Sequence, residues 1–423
     1  MITKRNVLVV SFALFSLFFG AGNLILPPQL GFKSGDAWLL VTLGFCLSAV
    51  LIPIFGILAH AKLQGTMFDF AKKVSPTFSL IYCYLVYAIS ISLPSPRTAS
   101  VTHEMGIAPF FGSPSLLTSV VYFVLVFIFV INRSKILDVI GKLLTPAIIL
   151  ILICIIAQAL FGFEFNFGQT QFDSPFTSGI LEGYQTFDAI GAVVVGGVII
   201  VSINLKNDKI PYEQKKSAIA KAGLFSGLGL FLIYTGLVLT GALMHNEFDA
   251  DTSRTALLSG ISIKTLGSTA NIFLSILVSL ACFTTAVGIV TGTADFVKGR
   301  FNNSQTAYLV TAIVSCLLGI VMGQFNVGYI IAVALPALMF IYPITIVLIV
   351  LNVVPNKFAS QKVFRWVVLT TIIFSIPDFL GSIGPLSKGG TLDWIPLGQY
   401  QMGWVLPAFV AFLMANTMSR AKF

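Results

Sequence analysis

The chain has 423 residues, of which 57% are hydrophobic and only 10% are charged, and its mean hydropathy is +0.95. Soluble domains carry about 25% charged residues, so this composition excludes a soluble globular protein and predicts a protein dissolved in lipid. The formal net charge of +9 would also suit a nucleic-acid-binding protein, so the placement of the basic residues must first be compared with a membrane topology.

Apolar windows long enough to cross a bilayer as helices follow one another along the chain. They cover residues 7–31, 37–60, 78–101, 116–131, 139–161, 176–203, 218–244, 269–296, 307–322, 327–353, 363–380 and 402–417. No segment between them is long enough to form a soluble domain. We therefore predict an all-α polytopic membrane protein of 12 transmembrane helices, with a single transmembrane domain over residues 1–423.

The first window is interrupted by the run Gly20-Ala21-Gly22-Asn23 and then by Pro27-Pro28. Glycine weakens a helix, and proline removes a backbone donor. Free backbone groups are tolerated at membrane depth only inside protein or beside a water-filled cavity. An interrupted helix is therefore a candidate ligand site, because its carbonyls can bind a cation and a half-helix N-terminus can bind an anion. The alternative is a kinked helix that fills a tight packing contact.

Near the outer end of the third window, a proline-rich kink precedes Arg97. An arginine inside a membrane segment is costly and marks a functional position by default. We interpret Arg97 as a candidate outer gate that pairs with Glu104 or Glu182. The alternative is an interfacial arginine whose side chain extends to the lipid headgroups.

The sixth window carries acidic and amide side chains near its middle, among them Glu182, Gln185 and Asp188. Asp188 could pair with a cation, accept backbone N–H groups at a helix break, or carry a proton; it could equally be the N-cap of a second half-helix. This window lies five windows after the first. Breaks at the start of two five-helix halves indicate an inverted repeat, with halves 1–161 and 176–353 and two further helices in 363–417.

The eighth window places the Ala281 carbonyl and the hydroxyls of Thr284 and Thr285 on one helix face, at positions i, i+3 and i+4. Uncharged oxygen donors suit Na⁺, which an interrupted helix on the opposite side could help to bind. The alternative is that each threonine bonds a carbonyl of its own helix or of a neighbour.

The basic residues follow the predicted topology. If the N-terminus is cytoplasmic, the outer side holds Lys33, Arg97, Arg254, Lys264 and Lys388, and the other 20 of the 25 Lys and Arg residues are cytoplasmic. This distribution obeys the positive-inside rule, so we place both termini in the cytoplasm at the cell membrane. The net positive charge then requires no nucleic-acid partner.

Three stretches resemble the branched-chain amino acid transport system II carriers, a family of the amino acid-polyamine-organocation superfamily. They are the run 12–31 around Gly20-Ala21-Gly22-Asn23, the run Pro96-Arg97-Thr98-Ala99 followed by Glu104, and the run 183–188. The resemblance covers essentially the whole chain. It implies a LeuT-type fold of five plus five inverted helices with two extra helices, and a symporter that imports leucine, isoleucine and valine, usually with Na⁺.

The resemblance also implies where the ligands bind. The amino and carboxylate groups of the substrate would meet the unwound backbone at Gly20, Ala21, Gly22, Asn23, Gln185, Thr186, Phe187 and Asp188. Na⁺ would bind carbonyls near Ser16 and Phe19, the Ala281 carbonyl, and the hydroxyls of Thr284 and Thr285. An aliphatic substrate side chain also needs an apolar pocket, and its candidate wall residues are Phe19, Phe187, Tyr87 and Tyr184. The alternative for each of them is ordinary packing.

Two other functions remain open from the sequence. One is an H⁺-coupled amino acid transporter of the same fold, with Asp188 or Glu182 as the proton carrier. The other is a receptor or channel that binds amino acids without coupled transport. The sequence contains no catalytic triad, HExxH motif or phosphate-binding GxxxxGK[ST] loop, which argues against an enzyme or an ATP-driven pump.

Overall fold

The computed structural model describes residues 4–132, 136–194, 196, 211–383 and 395–420, and every regular element in these ranges is a helix. The α-helices are α1 (Lys4–Phe18), α2 (Ala21–Ser34), α3 (Trp38–Cys46), α4 (Ile52–Leu63), α5 (Met67–Ala71), α6 (Pro76–Ser92), α7 (Pro94–Thr102), α8 (Ala108–Phe111), α9 (Ser115–Asn132), α10 (Ile136–Gly162), α11 (Pro175–Tyr184), α12 (188–194), α13 (Tyr212–Leu243), α14 (Arg254–Arg300), α15 (Gln305–Gly323), α16 (Val327–Val353), α17 (Gln361–Ile383) and α18 (Val405–Arg420). The end of the sixth window lies outside these ranges, as do the basic residues Arg133, Lys135, Lys206, Lys209, Lys388 and Lys422.

The helices have the length and composition of a membrane protein. Among the described residues, nine helical stretches are long and apolar enough to cross a membrane, and Val405–Met418 is a shorter apolar helix. One of the nine, Gly22–Leu63, joins parts of two predicted windows. The all-helical membrane class is therefore confirmed, while the count of 12 crossings stays a prediction.

The first predicted break is present between α1 and α2. Helix α1 ends at Phe18, α2 begins at Ala21, and Gly20 between them is extended, with φ −99° and ψ −175°. Pro27 and Pro28 do not form the break, because α2 continues through both. They remove the N–H groups that would otherwise bond carbonyls one turn earlier, which weakens the helix just after the break.

A second break separates α11 from α12 at residues 185–187. Phe187 has φ +63°, which is unusual for a residue with a bulky side chain and marks a functional or strained site. The breaks that the sequence predicts in the first and sixth windows are therefore both present.

Glycines let one half of each broken helix contact a neighbouring helix closely. Gly31 of α2 and Gly241 of α13 each lie directly against the backbone of the partner helix. Gly44 of α3 and Gly179 of α11 form the same kind of contact. Such small residues allow backbones to approach closely in a membrane, where dispersion contacts rather than hydrophobicity hold helices together. Each broken helix is thus fixed to a neighbour along one half.

We expect Gly241→Ala to destabilise the protein, because a Cβ there would overlap the Pro28 carbonyl of α2. Overpacking of this kind costs about 1–3 kcal/mol, and backbone cannot move aside as a flexible side chain can. Thermal unfolding of the purified protein in detergent measures the effect. The matched control is Gly292→Ala in α14, where a Cβ meets nothing within 4 Å. Alanine should be neutral or stabilising there, so equal unfolding temperatures for the two variants would contradict this interpretation.

Candidate functional site

A small cavity lies where the first break faces α10 and α14. Its volume is about 20 Å³, and roughly 10–15 Å³ is already enough to admit one water-sized particle. The cavity is lined by Ser16, Phe19, Leu144, Thr145, Ile148, Ala281, Thr284 and Thr285. The residues that the sequence assigned to the ion position, at the first break and on α14, therefore all line this one cavity.

The break releases the carbonyl oxygens of Ser16 and Phe19, two residues that line this cavity. The Gly20 N–H donates to the Phe18 carbonyl at 3.0 Å, and the Asn23 N–H donates to the Gly20 carbonyl at 3.1 Å. In an unbroken helix these two N–H groups would bond the carbonyls of Ser16 and Phe19. Both carbonyls are thus released from their usual helical partners, and the C-terminal end of α1 adds a partial negative charge that favours a cation.

The opposite side of the cavity is the polar face of α14. Thr284 Oγ1 donates to the Ala281 carbonyl at 3.0 Å, and Thr285 Oγ1 donates to the same carbonyl at 2.9 Å. The alternative in which these hydroxyls bond their own helix is therefore realised in this structure. Each hydroxyl oxygen still has lone pairs after donating its single hydrogen, so both can also coordinate a cation.

Helix α10 contributes a hydroxyl group to the cavity that was not predicted from the sequence. Thr145 Oγ1 donates to the hydroxyl oxygen of Ser16 at 2.7 Å, which connects α10 to the end of α1. Pro146 follows directly and lies inside α10. A threonine next to a proline within an apolar window is the signal that could have identified this position.

The two breaks meet through a buried polar cluster. Asn23 Nδ2 donates to Asp188 Oδ2 at 2.5 Å and also to the hydroxyl oxygen of Tyr234. All three side chains are at most 5% exposed. Tyr234 of α13 was not predicted, because one tyrosine in an apolar helix resembles any other buried aromatic residue. The cluster joins both broken helices to α13.

Asp188 is not the N-cap residue of α12. The first helical bond of this half-helix runs from the Gly191 N–H to the Phe187 carbonyl at 2.8 Å, so Phe187 occupies the N-cap position and Asp188 lies in the first turn. The Asp188 carboxylate instead faces Asn23 across the site. Its position at the start of α12 places it near the partial positive charge of that helix end.

Arg97 is buried beside both breaks, with 4% of its surface exposed. Its Nη1 donates to the Gln185 carbonyl at 2.8 Å, and its guanidinium carbon lies 5.4 Å from the centre of the Phe187 ring. The guanidinium also packs so closely on Gly22 that a Cβ there would overlap Nη2. The interfacial alternative for Arg97 is therefore wrong.

The predicted gate partners of Arg97 were also wrong. Glu182 forms an ion pair with Arg254, at the start of α14. Glu104 accepts a hydrogen bond from the Thr255 hydroxyl and one from the Val327 N–H at 2.8 Å. The physical reason is the bend that precedes α7. Residues 95–102 of α7 are all buried, so Arg97 lies inside the protein and not at the membrane surface.

The predicted aromatic wall is present only in part. Phe19 stacks on Tyr234 with 6.2 Å between ring centres, and Tyr184 stacks on Tyr342 at 4.3 Å. Both pairs adjoin a break. Tyr87 instead stacks on Phe296 near the end of α14, so we remove it from the site.

Comparison with known proteins gives matches over nearly the whole chain. A family model described as "Branched-chain amino acid transport protein" matches residues 3–422. The branched-chain amino acid permease BraB of Bacillus subtilis is 32% identical over 434 residues, covering 98% of this chain and 96% of that protein. The branched-chain amino acid transport system 2 carrier protein of Pseudomonas aeruginosa is 30% identical over 426 residues, with the same coverage of 98% and 96%.

A solved structure shares the fold at low sequence identity. The inward-facing conformation of Mhp1 superposes with a TM-score of 0.64 and 12% identity, covering 99% of this chain and 91% of that one. The architecture is therefore the LeuT-type fold that the sequence resemblance implied.

Proposed function

The chain belongs to the family of branched-chain amino acid transport proteins, and on that premise we propose that it imports leucine, isoleucine and valine together with Na⁺. It is a multi-pass membrane transporter and not an enzyme. The halves 1–161 and 176–353 would move against each other to give alternating access, with the helices in 363–417 outside this core.

The observation that carries the proposal for Na⁺ is the oxygen-lined cavity between α1 and α14. Its oxygen donors are carbonyls and hydroxyls without formal charge, on Ser16, Phe19, Ala281, Thr284 and Thr285. Unwound carbonyls and the C-terminal ends of half-helices are where transporters of this architecture coordinate Na⁺. A volume of about 20 Å³ suits a single small ion.

Na⁺ in this cavity would couple to the substrate through the first break. The ion would bridge α1 and α14 and hold α1 in one position, and the same break carries Asn23, which contacts Asp188. A ligand shifts a conformational equilibrium only by its differential affinity for the two states. We propose that Na⁺ favours the outward-facing state in which the breaks are shaped to receive the amino acid.

The amino acid itself would bind between the two breaks. The backbone of Gly20, Ala21, Gly22 and Asn23 lies on one side, and that of Gln185, Thr186, Phe187 and Asp188 lies on the other. The Asp188 carboxylate is the buried acid available to the substrate ammonium group. An apolar pocket distinguishes side chains that differ by one methylene by only about 1–3 kcal/mol, so overlapping use of leucine, isoleucine and valine is expected.

The orientation in the membrane is also a proposal. We place both termini in the cytoplasm of the cell, which is supported by the 20 of 25 Lys and Arg residues that this topology assigns to the inner side. The ion pair between Glu182 and Arg254 then lies on the outer side and holds α11 to the start of α14.

The test is uptake of labelled leucine into proteoliposomes with an imposed inward gradient of either Na⁺ or H⁺. We expect uptake above equilibrium with the Na⁺ gradient alone. The buried Asp188 supports the second candidate, H⁺ coupling, which predicts uptake driven by the pH gradient in Na⁺-free buffer. Exchange of labelled leucine against an internal pool tests transport itself, because a receptor or a channel would give no such counterflow.

A further inference from the structure

Arg97 is a buried cation that has no carboxylate partner in the part of the chain that the structure describes. The ion pairs found there join Lys216 to Glu213, Arg254 to Glu182, and Lys264 to Glu247. An isolated charge inside a membrane protein is costly unless it faces a partner or a water-filled cavity. Because no described carboxylate forms an ion pair with Arg97, an anion in direct contact with its guanidinium would have to come from a ligand.

The guanidinium is held in place but has unused donors. Phe187 lies against its face, Gly22 lies under Nη2, and Nη1 donates to the Gln185 carbonyl. A guanidinium has five N–H donors. The Nε of Arg97 is buried without an acceptor among the described residues. A planar carboxylate is the anion whose geometry matches such a fixed fork, because it can accept two parallel hydrogen bonds.

The charges around Arg97 are complementary to an amino acid. Asp188, which begins α12 beside Phe187, is close enough to interact electrostatically with Arg97. Neither group is in an ion pair within the described ranges. A buried cation and a buried anion across the two breaks match the carboxylate and the ammonium group that an α-amino acid carries on adjacent atoms.

We propose that Arg97 is a specificity-determining residue that binds the α-carboxylate of the substrate directly. This assignment rests on the proposed function, and it adds to the broken backbone a side chain from α7. The hydrogen bond to the Gln185 carbonyl orients the guanidinium at the end of α11, where the helix dipole favours a cation. A ligand without a carboxylate leaves the remaining donors unpaired and is therefore rejected.

The test compares L-leucine with L-leucinol, which retains the ammonium group and the side chain but lacks the carboxylate. Competition against labelled leucine gives the ratio of the two affinities for each purified variant. We expect the unmodified protein to prefer leucine by about 100-fold, because a buried charge left unpaired is strongly penalised. In Arg97→Gln the ratio should fall to about 5 or less, since the lost interaction involves only leucine. Arg97→Lys should give an intermediate ratio, because lysine keeps the charge without the fork.

The matched control is Arg365→Gln. Arg365 also donates to a backbone carbonyl, that of Val74 at 2.9 Å, but it lies on α17. The ratio of leucine affinity to leucinol affinity in Arg365→Gln should equal that of the unmodified protein. An unchanged ratio in Arg97→Gln, or a preference below about tenfold in the unmodified protein, would overturn the assignment. The preference of the unmodified protein for leucine over leucinol is measured without any variant, so the proposal stays testable if Arg97→Gln does not fold. Failure of the unmodified protein to bind leucine would instead overturn the proposed function, and this assignment with it.

Discussion

Replacement of both Thr284 and Thr285 by alanine is expected to abolish the stimulation of leucine uptake by Na⁺. The two hydroxyls are the side-chain oxygens that α14 contributes to the cavity, and both lie beside the Ala281 carbonyl. Without them the ion loses its differential affinity for the outward-facing state, so the ratio of uptake with and without Na⁺ should fall to about one. Folding should survive, because both hydroxyls bond only within their own helix and alanine is a better helix former than threonine. Initial rates in proteoliposomes measure the ratio.

The same helix offers a matched control. Thr293 Oγ1 donates to the Ile289 carbonyl at 2.8 Å, an equivalent bond two turns further along α14 and away from the cavity. Thr293→Ala should keep the full stimulation by Na⁺. Normal Na⁺ dependence in the double variant, with protein present in the membrane, would place the ion elsewhere.

Replacement of Asp188 by asparagine is expected to eliminate both leucine uptake and leucine counterflow. The amide is close in shape to the carboxylate, and its oxygen can still accept from Asn23, so the cluster at the breaks should be preserved. The negative charge that would receive the substrate ammonium group is lost. Removing one partner of a buried charge pair costs about 2–5 kcal/mol, which is roughly 30-fold or more in affinity. Counterflow of labelled leucine in proteoliposomes measures the loss.

The outcome distinguishes the two candidate roles of Asp188. If this residue is the proton carrier of an H⁺-coupled transporter, Asp188→Asn should lose uphill uptake but retain counterflow that no longer depends on pH. That result would contradict the assignment of Asp188 as the residue that binds the substrate ammonium group. Asp36→Asn is the control, because the exposed Asp36 carboxylate accepts from the Thr170 N–H at 3.2 Å, between α2 and α3 and away from the breaks.

The features that depend on local sequence were predictable. Two glycines around an alanine weaken a long membrane helix, so the break at Gly20 could be anticipated in the first window. The face shared by Ala281, Thr284 and Thr285 follows from helical periodicity alone, so the cavity wall on α14 was predictable too.

The features that depend on packing between distant helices were not predictable. The sequence identified Arg97 as unusual but assigned it the wrong partners, because its direction depends on the bend before α7. Tyr234 and Thr145 contact the breaks from α13 and α10. Each is an isolated polar residue in an apolar run, and only the tertiary arrangement distinguishes them from ordinary core residues. The same limit explains why Tyr87 was wrongly placed near the substrate.

The bonds from Thr284 and Thr285 to the Ala281 carbonyl bear on the return half of the transport cycle. After a symporter has released its ion and substrate, its empty binding site must return to the outward-facing state. A buried hydroxyl without an acceptor would cost about 1–3 kcal/mol and would slow this step. Because both hydroxyls have an acceptor within their own turn of helix, the unloaded carrier avoids that cost. The two hydroxyls therefore add no penalty for an unpaired donor to the return of the empty carrier.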